Sequence, residues 1–251
     1  YAIIRTQTLL FPTEPLSLLL GVVGIATMLL GILGAVAQGE IKRMLSFTLV
    51  SHIGYMVFGI SLATSAAPAG AIFYAAHHIT IQATLFLVAG LIQRVGGSTS
   101  LDRLGGLARL SPLLGALFLV PAMNLAGIPP LSGFVAKLAL LQAGVADAGP
   151  MAWALVAAGV VTSLLTLYAM AKVWNRAFWG VVPEQATARV TTLSRQGRLL
   201  PRLMVGSTLG LVVLALAFTV AAGPMYGYVE RSATALFDRS YIAAVLSGGE
   251  R

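Results

Sequence analysis

The sequence has no cysteine, so disulfides, thiolate metal sites and thiol nucleophiles are all excluded. Charge is also sparse: 10% of the 251 residues carry it, whereas about a quarter of a typical soluble sequence does. No secretory signal peptide is legible. The chain opens on Tyr1 inside what reads as the polar end of a helix, Tyr1 to Arg5, and residues 1–15 are expected to be the end of a preceding helix and an outer loop of a longer protein. No flavin, haem or iron–sulfur ligand set is visible, and neither a cofactor nor a metal is expected.

What the chain has in abundance is apolar surface, with 58% hydrophobic residues and a mean hydropathy of +0.90. A soluble domain of this size could not hide so much, so the natural solvent is lipid. There only helices and closed barrels satisfy their backbone groups. The apolar runs are long and do not alternate, which excludes the short dyad-repeat strands of a barrel. Six segments emerge: Leu16 to Gln38, Met44 to Ala67, Ala69 to Gln93, Pro112 to Val145, Met151 to Val173 and Leu203 to Ala222. Each is long enough for a hydrocarbon core of ~30 Å. The fourth is too long for one simple span and holds Pro121, Pro129 and Pro130. Ser111 and Pro112 mark its start as N-cap and first helical position.

The net charge of +8 would suggest nucleic acid in a soluble protein; in a membrane protein its distribution sets orientation. The first, third and fifth connections carry Lys42, Arg43, Arg94, Arg103, Arg109, Lys172, Arg176, Arg189, Arg195, Arg198 and Arg202 against Glu40, Asp102 and Glu184. The opposite side has Arg5, Arg231, Arg239 and Arg251 against Glu14, Asp147, Glu230, Asp238 and Glu250. The basic set is therefore expected in the cytoplasm, with both chain ends outside and no nucleic-acid partner. Residues 174–202 read as a basic cytoplasmic loop short of apolar periodicity, either lying near anionic headgroups or forming a specific lipid or subunit site. Residues 223–251 read as an external, weakly amphipathic tail.

Lys137 belongs to neither side. It stands in the fourth segment with no acidic residue within nine positions. A lysine near the bilayer centre costs ~2.5–3.5 kcal/mol on insertion scales, so it is expected to face a cavity and serve function. Snorkelling to the interface fits poorly, because the apolar run continues from Leu138 to Val145. Upstream, Pro129 and Pro130 must break the helix, with Gly127 and Gly133 around them and Asn124 before them. Irregular backbone at membrane depth is tolerated where it is buried or lines water. The third segment carries His77, His78 and Gln82, with Tyr74 one turn before His78. Histidines titrate near neutrality and can relay protons, though an interhelical hydrogen bond is the plainer role and a metal site the least supported. Thr48, Ser51, His52 and Tyr55 form one stripe of the second segment, which faces other helices or water. Gly21, Gly24, Thr27, Gly31 and Gly34 give the first segment a face for close packing.

Three motifs resemble the proton-translocating antiporter-like subunits shared by respiratory complex I and the multisubunit Mrp-type sodium/proton antiporters. They are EIKRMLSFTLVSHIGY (Glu40 to Tyr55), FYAAHHITIQATLFLVAGL (Phe73 to Leu91) and NLAGIPPLSGFVAK (Asn124 to Lys137). SLLTLYAMAKVWNRAFWG (Ser163 to Gly180) looks most like the Mrp branch. The resemblance covers nearly the whole chain. It implies that residues 16–173 form the second of two inverted five-helix repeats, followed by the last helix at 203–222. The first repeat, with its Glu–Lys pair, would lie outside this sequence. It also implies a plasma-membrane complex with other membrane subunits, exporting Na+ in exchange for H+ and not itself an enzyme. Many members carry a lysine at the position of Gln82, and glutamine cannot carry a proton charge. Either the relay passes through His77 or His78 and water, or the central lysine is dispensable here.

The expected protein is thus an all-α polytopic membrane protein of about six transmembrane helices, one of them (112–145) broken at Pro129–Pro130. Lys137 would be the terminal proton carrier and His77 and His78 the central relay. His52, Ser51 and Tyr55 would form a supporting wet path, with Gln82, Asn124 and the interfacial Lys42 assisting. A redox-driven pumping subunit of complex I or of a membrane-bound hydrogenase, or a purely structural subunit, are the alternatives. Topology tests the charge argument directly. Single cysteines at Ser98 and Ser194 should react with a membrane-impermeant thiol reagent only from the cytoplasmic side, and one at Ala148 only from outside. Labelling of Ser98 and Ala148 from the same face contradicts the six-span reading.

Overall fold

Small residues decide how the first two helices meet. In the computed structural model, which describes residues 3–4, 15–62, 66–195 and 199–237, helix α1 (Pro15–Ala37) and helix α2 (Ile41–Ser61) form an antiparallel hairpin across a three-residue connection. A Cβ on Gly24 would lie 3.5 Å from the Gly54 carbonyl, and one on Gly31 would lie 2.5 Å from the Ser51 nitrogen. Gly34 faces the Phe47 ring, and Gly21 faces Met151 of a later helix. The glycine face expected from sequence is therefore the packing face, while Thr27 bonds its own Val23 carbonyl.

Helix α3 (Ala66–Gly96) follows, then the pair α4 (Pro112–Ala126) and α5 (Ser132–Asp147), α6 (Pro150–Val173), α7 (Glu184–Arg195), α8 (Arg202–Val220) and α9 (Ala222–Phe237). Among the described residues, α1, α2, α3, α6 with its continuation, and α8 are long and apolar enough to cross a membrane. Helix boundaries follow local chemistry. The Ser111 hydroxyl accepts from the Leu114 amide and Pro112 takes the first position of α4. Glycines with positive φ close α3 (Gly97, 78°) and α4 (Gly127, 84°). The second segment ends at Ser61 rather than Ala67, and Ala66 and Ala67 begin α3.

The three basic connections meet at one end of the molecule. Ile41 donates to the Thr99 carbonyl (2.9 Å) and Leu101 to that of Gly39 (2.8 Å), joining the first connection to the third. Lys172 reaches the carbonyls of Val36 and Gln38 at 2.8 and 2.9 Å, and Arg176 pairs with Asp102 at 3.0 Å. At the other end, Ser17, Ser61, Asp147 and Pro150 border one cavity of about 640 Å³. In water-facing terms the fold is inside out: α8 buries Thr208, Val212 and Ala215 on one stripe and turns Leu203, Val213, Leu216 and Val220 outward.

Two expectations need correction. Residues 174–202 are not a plain loop. Trp174–Trp179 is a π-helical continuation of α6, its Trp174 and Phe178 rings stacked 4.9 Å apart, and α7 follows. Ala186, Val190 and Leu193 give α7 a narrow inward stripe, and Arg189 donates to the Arg94 carbonyl at the end of α3 (2.9 Å). The stripe keeps helical spacing but its apolar positions are few among threonines and arginines, and the packing surface of α3 supplies the rest. The supposed tail is helical to Phe237, with Ala222, Val229 and Ala233 buried and Tyr226 set against Phe73. Most of 1–15 and everything after Phe237 lie outside the described residues.

The α1–α2 contact yields a stability prediction. In Gly31→Ala the new Cβ meets the Ser51 nitrogen and its Cα (2.7 Å), both backbone, so no side-chain movement relieves it. A loss of about 1–3 kcal/mol is expected, read as a lower Tm of the purified assembly. Gly210→Ala, with nothing within 4 Å, should leave Tm unchanged. An unaltered Tm for Gly31→Ala contradicts the packing described.

Candidate functional site

The break between α4 and α5 is closed by the two helices capping one another. Asn124, in the last turn of α4, accepts on its Oδ1 from the Gly133 amide (2.8 Å) and the Ser132 hydroxyl (3.3 Å) at the start of α5. Gly133 is required there, since a Cβ would collide with the Asn124 carbonyl oxygen. In return Lys137, one turn into α5, donates from Nζ to the carbonyls of Leu125 (3.0 Å) and Ala126 (3.1 Å), the last residues of α4. Those carbonyls lack helical partners and carry the negative end of the helix dipole, so an ammonium is favoured. Gly127, which turns the chain away, would bring any Cβ within 3.0 Å of Lys137 Cδ. Pro129 and Pro130 occupy the connection between the two helices, their peptide bond cis.

Lys137 is 4% exposed, and neither ion pair among the described residues includes it. Its Nζ stands 5.5 Å from the centre of the Tyr55 ring, a cation–π contact. Tyr55 donates its hydroxyl to the Gly159 carbonyl and lies 2.7 Å from Ser163 Oγ. Beside Lys137 a cavity of about 180 Å³ runs between α5 and α6, bordered by Gly127, Ser163 and apolar side chains.

From Tyr55 the polar groups continue as a cluster of rings. Tyr74 stacks on Tyr55 at 5.2 Å, and its hydroxyl lies 2.7 Å from His52 Nδ1. His52 Nε2 is 3.4 Å from Thr166 Oγ1, whose proton goes to the Thr162 carbonyl (2.7 Å). Thr166 therefore accepts, which assigns the hydrogen of neutral His52 to Nε2 and makes Nδ1 the acceptor from Tyr74. His78 stacks on His52 at 4.8 Å and on Tyr74 at 6.1 Å. His77 turns back to the break, with Nδ1 3.0 Å from Ser132 Oγ. Four elements thus bring Lys137, His52, His77, His78, Tyr55 and Asn124 into one buried constellation.

Other expected residues fall elsewhere. Gln82 Nε2 donates to the Leu45 carbonyl at 2.6 Å. Ser51 is spent on an interhelical bond to the Met28 carbonyl (2.7 Å) and Thr48 on its own helix. Lys42 bonds Gln93 (2.7 Å) at the basic end, apart from the constellation. Ser163, Thr166 and Thr219, which sequence reading passed over, all touch it; Thr219 Oγ1 accepts from the Ser132 amide at 3.0 Å. The i, i+4 spacing of Thr162 and Thr166 was the available signal. Several buried polar atoms have no protein partner among the described residues: both ring nitrogens of His78, Gln82 Oε1, Asn124 Nδ2 and Thr162 Oγ1.

An apolar-surfaced helical bundle with an ammonium, three imidazoles and two phenols sealed in its interior is a multi-pass membrane protein built around an ionisable core. The family follows from comparison: the chain matches the model described as NADH:quinone oxidoreductase/Mrp antiporter, TM, over residues 1–166, and it belongs to that family. It is similar to the D subunit of the Na(+)/H(+) antiporter of Alkalihalophilus pseudofirmus, 42% identical over 98% of this chain and 48% of that one. The corresponding D subunit of Bacillus subtilis is 32% identical over the same shares, 98% and 48%. Among solved structures, the Mrp complex from Dietzia sp. contains a chain that superposes with a TM-score of 0.83 at 33% identity, over 98% of this chain and 52% of that one. The chain spans about half the length of the curated relatives it matches. The likeness to Mrp-type D subunits read from the motifs is borne out.

Proposed function

We propose that this chain is the C-terminal half of the D subunit of an Mrp-type antiporter in the plasma membrane, moving protons in a complex that exports Na+. Its partners would be the other membrane subunits of that complex, and it would be a secondary transporter component rather than an enzyme. The observation that carries the reading is Lys137: a buried ammonium with no carboxylate partner among the described residues, held by the open end of a half-helix. Half-helices with an ionisable group at their gap are a recurring transporter device. An ammonium this costly is retained for function.

In this account α4 and α5 together make a sixth, broken span. Residues 16–173 form a five-helix repeat, 203–222 the last helix, and the inverted partner repeat lies elsewhere in the protein. The basic end faces the cytoplasm. Protons pass between Lys137 and His77 or His78, with His52, Tyr55 and Tyr74 between them and water on the partnerless nitrogens of His78. Buried polar atoms left dry would each cost about 1–3 kcal/mol, which supports a hydrated interior. The cavity beside Lys137 is its route outward. Gln82, bonded to the α2 backbone, serves packing where many relatives keep a lysine. The family model spans both antiporters and NADH:quinone oxidoreductases, and the same groups would serve a redox-driven pump. The similarity to two D subunits favours the antiporter.

Everted vesicles carrying the complete complex, read with a pH-sensitive dye, test the assignment. Lys137→Ala should assemble at normal level and lose antiport by about a hundredfold or more, the scale of a lost proton-transfer group. Lys137→Arg should also be badly impaired, because guanidinium does not release its proton at physiological pH. An alanine variant that transports like wild type removes Lys137 from the path.

A further inference from the structure

The end of α4 serves two clients at once. Leu125 and Ala126 offer their carbonyls to Lys137, while their neighbour Asn124 offers Oδ1 to Ser132 and Gly133. Asn124 Oδ1 can only accept, so where Ser132 gives its one hydroxyl proton to it (3.3 Å), the serine accepts from His77 at 3.0 Å. That assigns the hydrogen of neutral His77 to Nδ1 and leaves Nε2 as the basic nitrogen. Gly133 clears the space beside that nitrogen, since a Cβ there would lie 3.0 Å from it. The Ser132 amide is held in turn by Thr219 of α8 (3.0 Å), so the serine is anchored from both sides.

We propose that Asn124 and Ser132 are positioning residues that hold His77 in one tautomer and orientation and couple it, across the helix break, to the hold of Lys137 on the Leu125 and Ala126 carbonyls. The inference rests on the reading that Lys137 and His77 carry protons. When the ammonium leaves those carbonyls, the last turn of α4 loses its cap and Asn124 is released with it. The change reaches His77 through Ser132, two hydrogen bonds away. Among the described residues, the titratable groups facing this relay are His78 and Tyr74 on α3, His52 and Tyr55 on α2, and Lys137 itself; α6 and α8 contribute the hydroxyls of Ser163, Thr162, Thr166 and Thr219, and α9, packed on α3, sets Tyr226 against Phe73.

A double-mutant cycle in the complete complex, assayed in everted vesicles across pH with subunit levels checked by blotting, tests the proposal. Ser132→Ala should slow antiport about five- to tenfold, the scale of a buried group losing its partner, and should displace the pH optimum. Ser132→Thr, which keeps the hydroxyl, should restore both rate and optimum. Added to His77→Ala, the Ser132→Ala change should cost nothing further, because the serine acts through the histidine. Wild-type rate and pH profile in Ser132→Ala, or losses that add in the double variant, overturn the proposal. Ser132→Gly and Asn124→Ala serve the same cycle where Ser132→Ala does not assemble. If none of the three assembles, the bridge is a structural cap only and the proposal is likewise overturned. Wild-type transport in both His77→Ala and Lys137→Ala would instead overturn the underlying reading.

Discussion

A helix that ends in an apolar interior leaves carbonyl oxygens that neither its surroundings nor the next turn can satisfy. Here that constraint is met by Lys137, whose ammonium sits on the last two carbonyls of α4. The same solution recurs at the molecule's basic end, where the side chains are more exposed. Lys172 caps α1 through Val36 and Gln38, and Arg189 caps α3 through Arg94. Lys172 and Arg189 thus perform this role at partly exposed positions. Lys137 performs it in the interior, and the chemistry of the protein gathers around it.

The position of Lys137 explains what its neighbours are. A cation without a counter-charge is stabilised by dipoles and by ring faces, and the structure supplies both in the α4 terminus and Tyr55. Tyr55 could not lie there without anchors for its hydroxyl, which come from Gly159 and Ser163 on α6. Tyr74, His52 and His78 then stack outward from Tyr55 and bring α2, α3 and α6 into register. Among the described residues no carboxylate pairs with this ammonium, so dipoles and the ring face are what hold it.

Much of this was legible in the sequence, because in an apolar chain every ionisable residue is expensive and hence informative. Lys137, the histidines and the Pro129–Pro130 break stood out for that reason, as did the alternation of basic connections. What could not be read were the partners. Lys137 bonds backbone carbonyls, which every residue possesses, so no side chain announced the contact. Thr219 is a lone hydroxyl in an apolar stretch, indistinguishable from Thr208, which merely bonds its own Met204 carbonyl. The helix α7 was hidden by its composition. Nor does the position of Gln82 on α3 decide which neighbour its amide meets, and that neighbour is the Leu45 carbonyl.

The central claim is that Lys137 holds the end of a broken helix within a hydrated interior. The most direct measurement is a cryo-EM map of the intact complex at a resolution that shows ordered water. Lys137 Nζ should rest on the Leu125 and Ala126 carbonyls, with water density at the His78 ring nitrogens and Asn124 Nδ2. A map in which those nitrogens are packed dry against apolar side chains, or in which Lys137 turns away from the end of α4 toward lipid, would contradict it.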